Sequence, residues 1–257
     1  SNLHGMPLPT LIALIVRNLL AKYQPNHVVA LFIIPVLFFY GLLVFKFANK
    51  NRLLIIFALF SSYPIVFAIS RAHLAALILA FMLIVYIIKV QNEKFIFLSA
   101  LVLALAVNFR PNAIIFLIIP FFSFGNKYFY KFLLKFSFLS IIIFSAAIIC
   151  CNVLYPDYTI ANFFKAVGVY RSIYLHQDAG LSFGSSLFGG LRLISIVFKI
   201  NVDVVLIEAA TSVLFLVSAC YIYLLMKSKK ISHFDLTFSV LCMYSLFTGT
   251  FADYHLI

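Results

Sequence analysis

The stretch SRAHLAALILAFMLIVYIIK, residues 70–89, sets an arginine and a histidine at the mouth of an apolar run that closes on a lysine. Between Leu74 and Ile88 no charged side chain interrupts the run, which reads as a helix in hydrocarbon and not as a strand with alternating faces. The same grammar repeats on either side: an apolar run, a short basic or Pro/Asn-containing break, another apolar run. Hydrophobic residues make up 65% of the 257 residues and charged residues 10%. With a mean hydropathy of +1.14, the chain lies outside the range of soluble domains. The fold class read from this is an all-α polytopic membrane protein, and the missing dyad alternation excludes a barrel.

Threading the runs gives about eight transmembrane helices: His27–Ala48, Leu53–Ile69, Leu74–Ile88, Phe95–Phe109, Ala113–Phe124, Phe132–Leu154, Val202–Met226 and Leu236–Phe251. Before them, Pro7–Tyr23 carries Arg17, Asn18 and Lys22 on an apolar background, as a helix lying in the membrane interface does. Residues 155–200 form the one extended polar region and are expected as a long external loop. The whole of 1–257 reads as a single transmembrane domain. It opens without methionine and stops at TGTFADYHLI in mid-pattern, as a fragment truncated at both ends would.

Lysine and arginine bias sets the orientation. The breaks KFANKNR, KVQNEK, GNKYFYKFLLK and KSKK fall on one side of this threading, expected to be cytoplasmic. SRAH, FRPN, the long loop and ADYH then share the opposite face, the periplasmic face of a bacterial-type inner (plasma) membrane. The spans that meet at Arg71 and at Arg110–Pro111 cover only roughly 18–25 Å of a hydrocarbon layer about 30 Å thick, so their outer ends are expected below the surface. Proline opens a helix at its first turn and disfavours helix in the residue before it, which places Arg110 at the apex of two short helices. A recessed guanidinium costs about 2.5–3.5 kcal/mol on insertion scales and is kept where it lines a cavity or meets an anion. A lipid phosphate meets that need, because guanidinium binds it in a bidentate fork.

Other classes fall away. A net charge of +12 suggests nucleic acid, but the lysines stand at the ends of apolar runs, where they meet anionic lipid head groups; no nucleic-acid partner is expected. Cys150, Cys151, Cys220 and Cys242 all lie inside apolar runs and read as small buried side chains. No metal-ligand spacing, Walker pattern or Rossmann fingerprint is present, so no metal and no cofactor are expected. Tyr155, Tyr158, Tyr170, Tyr174 and Tyr254 form an aromatic belt on the outer side. His73 lies two positions from Arg71 and would point about 200° away on a helix. Asp253 and His255 share that spacing.

YPIVFAISRAHLAALILAFMLIVYIIKVQNEKFIFLSALVLALAVNFRPNAIIFLIIP, residues 63–120, resembles the central segment of membrane glycosyltransferases with the C-type fold, in particular the polyprenol-phosphate-mannose-dependent glycosyltransferase family eighty-seven. Ser70-Arg71-Ala72-His73 keeps the arginine of that family's acidic-Arg-Gly-Asn motif, and Asn108-Phe109-Arg110-Pro111 keeps a cation and the proline of its later turn. SSLFGGLRLIS is similar to the family's Ser-Leu-x-Gly-x-Leu-Arg element at Ser186, Leu187, Gly189 and Arg192, and FTGTFADYHLI to its late Asp/His-Tyr element at Asp253, Tyr254 and His255. The resemblance implies an inverting hexosyltransferase, a mannosyltransferase of the cell envelope in the family's pattern. It would move a sugar from a polyprenyl-phosphate donor to a glycan or lipid acceptor on the outer face. It implies substrate binding by Arg71, His73, Arg110, Arg192, Tyr254 and His255. The family's catalytic aspartate follows the first spanning helix, ahead of the residues present here, and Asp253 is the remaining candidate for the base. Two rivals use the same lipid-linked partner: a transporter or flippase, which would bind the phosphate without cleaving it, and a polymerase or ligase, which would rely on Arg171 and His176 in the long loop. A structural membrane subunit with no site is the third.

Overall fold

The computed structural model describes residues 7–20, 34, 38, 41, 42, 74–171, 186–228 and 232–247. Every regular element among them is helical.

Helix α1 spans Pro7–Leu20 and α2 spans Leu74–Val90. A tight turn follows, in which the Asn92 side chain accepts from the Lys94 amide at 3.0 Å and caps a 3₁₀ helix at Glu93–Phe95. The Lys89 ammonium covers the Phe95 ring at 4.3 Å. Helix α3, Ile96–Phe109, then runs back beside α2. It is apolar all round, and its small residues Ala100, Ala104 and Ala106 are fully buried, which lets α2, α5 and α1 approach its backbone closely. A 3₁₀ helix at Pro111–Leu117 and the short α4, Ile118–Ser123, carry the chain back again.

Helix α5, Asn126–Leu154, is 29 residues long, about 43 Å at 1.5 Å per residue. Helix α8, Val204–Lys227, is the second long element, capped where the Asp203 carboxylate accepts from the Val205 amide at 3.0 Å. Both are long and apolar enough to cross a bilayer, and only 11% of each apolar window is buried within the chain. The core helix of a soluble protein hides such a surface; these two present it outward. Helix α9, His233–Phe247, starts with a reciprocal cap: the Ser232 amide and hydroxyl donate to Asp235 Oδ2 at 2.9 and 2.7 Å, and the Asp235 amide donates back to Ser232 Oγ at 3.2 Å. These bonds hold the exposed Asp235 carboxyl below its ordinary value.

Two expectations change. Residues 155–200, expected as one loop, contain α6 at Ile160–Arg171 and α7 at Leu187–Val197. Each supplies its own start signal. The Asn162 amide donates to Thr159 Oγ1 at 3.2 Å, and the Gly189 amide donates to Ser186 Oγ at 3.2 Å, so local caps outweigh the polar look of the region. The span expected at Ala113–Phe124 is also not one α-helix, since its first half is the 3₁₀ helix that Pro111 opens. The interfacial reading of Pro7–Tyr23 gains a docking partner: α1 packs on α5, and Cys151 Sγ donates to the Pro7 carbonyl at 3.3 Å.

Lys89, Lys94, Lys127, Lys131 and Lys227 gather at one end of the bundle, at the shared termini of α2, α3, α5 and α8. Ser123 Oγ and His233 Nδ1 join α4 to α9 there at 3.2 Å. Arg110, at the far terminus of α3, and Arg192, beside the first turn of α8, lie toward the opposite end.

Candidate functional site

Arg110 is the joint between α3 and the returning 3₁₀ helix. Because Pro111 follows, its backbone is extended at φ −142° and ψ 106°. Its amide still donates to the Ala106 carbonyl at 2.8 Å, and its carbonyl accepts from the Ala113 amide at 2.9 Å. One residue therefore closes the last turn of α3 and opens the 3₁₀ helix.

The depth of this reversal is fixed two residues earlier. The buried Asn108 amide group donates to the Ala104 carbonyl at 2.9 Å and, across the helix pair, to the Ser140 carbonyl of α5 at 3.3 Å. Ser140 is the midpoint of α5, so about 21 Å of that helix continues beyond the bond. The apex at Arg110 consequently lies far short of the end of α5.

Farther along the 3₁₀ helix, Phe116 ties α2 to α9 through aromatic contacts. Tyr86 of α2 donates its hydroxyl to the Phe116 carbonyl at 2.8 Å and meets that ring edge-on, with centroids 6.3 Å apart. Phe116 in turn packs on Tyr244 of α9 at 5.4 Å, and Tyr244 lies within electrostatic reach of Arg110. Arg110 itself is partly buried beside this packed aromatic group.

Arg192 is 6% exposed and sits in α7. Its carbonyl accepts from Ser195 Oγ at 2.7 Å, and the residue lines a cleft of about 390 Å³ between α7 and the start of α8. Helix α9 packs against both α7 and the 3₁₀ helix after Arg110; it links the two arginine-bearing segments. Arg71, His73, Asp253, Tyr254 and His255 lie outside the described residues, as does His176, and the side chain of Arg171 does too.

On the remaining wall, α1 closes over the far half of α5. Leu14, Cys151 and Tyr158 form a small buried cluster. Burial pushes the Tyr158 hydroxyl up to about 12, against the pull of its hydrogen bond with Thr10, so it serves as a neutral hydrogen-bonding group. Sequence reasoning passed over Asn108, Tyr86, Tyr244 and Lys199. The signal for Asn108 was present, because a lone amide in an apolar run needs a partner across helices. Nothing in the sequence marks Tyr86 or Tyr244 among 14 tyrosines.

Compared with known proteins, the chain matches no family model, and no curated protein and no solved structure matches it.

Proposed function

We propose that the chain transfers a sugar from a polyprenyl-phosphate donor to a glycan or lipid acceptor on the outer face of a bacterial-type plasma membrane, threading it with about eight crossings. The observation that carries the reading is the recessed cation. Arg110 sits at a helix reversal two residues beyond the bond that ties α3 to the midpoint of α5, within electrostatic reach of Tyr244. A charge at that depth is kept for an anion or a hydrated cavity.

In this reaction the acceptor hydroxyl oxygen attacks the anomeric carbon as the bond from that carbon to the phosphate oxygen breaks. The hydroxyl proton passes to a carboxylate, for which Asp253 is the candidate within these residues. Arg110, with Arg71 and Arg192, offsets the charge that builds on the departing lipid phosphate. A single displacement inverts the anomeric centre.

The test uses membranes that hold the full-length protein, supplied with a radiolabelled polyprenyl-phosphate sugar or with the matching nucleotide sugar. Label should reach an acceptor from the lipid donor and not from the nucleotide. Transport of intact donor without cleavage would establish the flippase reading instead. Arg110→Ala should lower transfer about 10²–10³-fold with expression unchanged, and undiminished transfer would remove Arg110 from the site.

A further inference from the structure

Helix α6 takes no part in the transfer proposed above, yet its surface has a clear division. With 3.6 residues per turn, Ile160, Phe164 and Val167 fall within about 60° of one another, and all three are exposed. Asn162 and Lys165 occupy the opposite half of the helix. An apolar stripe opposed by an amide and a cation is the pattern of a helix that lies in a membrane interface.

The level at which α6 starts decides what covers the stripe. The chain turns back at the end of α5 instead of running on from it. Tyr158 packs with Cys151 of α5 and Leu14 of α1, and the Phe163 ring meets the Phe144 ring edge-on, with centroids 5.6 Å apart. Phe144 lies about 15 Å of helix before the α5 terminus at Leu154. Over that stretch α5 leaves Ile149 and Val153 exposed by 62% and 76%, on a helix long and apolar enough to cross a bilayer. The stripe therefore begins at a level where α5 faces hydrocarbon.

The connection into α6 is a second, independent observation. The Asn152 side-chain amide donates to the Pro156 and Tyr158 carbonyls at 3.0 and 3.1 Å, and that of Asn162 donates to the Asp157 carbonyl at 2.8 Å. Three consecutive carbonyls find partners within the chain, as backbone at a hydrocarbon boundary requires and backbone in water does not. We propose that α6 lies in the lipid leaflet at the end of the bundle opposite the lysines. Acyl chains cover Ile160, Phe164 and Val167 there, and Lys165 faces the phosphate head groups. The assignment does not depend on glycosyl transfer and stands whether or not Arg110 serves a donor.

Fluorescence quenching tests it, because these 257 residues contain no tryptophan. Phe164→Trp and Lys165→Trp are made separately in the full-length protein and reconstituted in phosphatidylcholine vesicles, each emission being taken as the difference from the parent protein. Phosphatidylcholine brominated at successive acyl positions should quench Phe164→Trp most strongly about 5–10 Å below the head-group boundary. Aqueous acrylamide should quench Lys165→Trp more than Phe164→Trp. Quenching of Phe164→Trp by acrylamide and not by brominated lipid would overturn the assignment by returning α6 to water. Quenching by neither would overturn it by giving the stripe to protein, a second copy of this chain included. Equal quenching of the two variants by brominated lipid would overturn it as well, since the two halves of the helix would then meet the same surroundings.

Discussion

Helices α3 and α5 lie side by side and start from the same lysine-bearing end, yet they meet opposite surroundings. Along α3, Ala100, Leu103, Ala104 and Ala106 are fully buried, and the helix stops after 14 residues in the middle of the molecule. Along α5, Leu134 and Val153 are 73% and 76% exposed, and the helix runs on for 29 residues. Both are apolar, so hydropathy alone does not separate them. Residue size does. Alanines on α3 admit neighbouring backbones, while the large exposed side chains of α5 fill space that no other described element occupies. The short buried helix ends inside the bundle where Arg110 joins it to the next turn and Asn108 ties it to α5.

The contrast can be broken most severely at Phe116, whose ring is fully buried between Tyr86 and Tyr244. Phe116→Ala should destabilise the protein by about 3–5 kcal/mol, read from thermal or denaturant unfolding in detergent micelles. Ala104→Leu attacks the close approach of α3 to its neighbours, and overpacking there should cost about 1–3 kcal/mol. Asn108→Ala removes the cross-helix bond to the Ser140 carbonyl, which keeps its own helical donor, and should cost about 0.5–1.5 kcal/mol. Asn108→Ala should also loosen the reversal, seen as faster amide exchange at residues 110–117. Leu134→Ala on α5 should change stability by no more than about 0.5 kcal/mol; a loss as large as that of Ala104→Leu would erase the distinction between the two helices.

The smallest effect concerns the start of α9. Because the folded Asp235 carboxyl lies below its ordinary value of 3.8, its capping contribution is complete above that value. The contribution disappears as pH falls through the lower folded value. Amide protection of the first turn of α9 should therefore fade in acid below the ordinary carboxylate range, and Asp235→Asn should abolish the pH dependence. Fading that begins near neutrality would rule this carboxylate out as its source.

Much of the fold was legible because long apolar runs without alternation restrict the menu to helices. Apolar runs broken by lysines gave helices at Leu74, Ile96, Asn126, Val204 and His233 to within a few residues, except that Asn126 precedes the expected start at Phe132 by a full turn and more. The added turns carry Lys127 and Lys131, which continue the helix outward, and Lys135, within the expected span, covers the Phe97 ring at 5.5 Å. The helices within 155–200 were missed because their caps are single Ser and Thr residues, which hydropathy does not weigh. For the candidate site, the break at Arg110–Pro111 could be read from sequence, since proline dictates it locally.

The sequence by itself determined an all-helical chain rich in apolar surface, the reversal at Pro111 and a bundle with lysines gathered at one end. These follow from local sterics and from the cost of exposing backbone polar groups to hydrocarbon. Only the tertiary structure decided that Asn108 reaches the midpoint of α5, that Phe116 packs between Tyr86 and Tyr244, and that Arg192 and Lys199 line a cleft with the first turn of α8. Those relations join residues far apart in the chain, and packing between helices, which no local propensity encodes, brings them together.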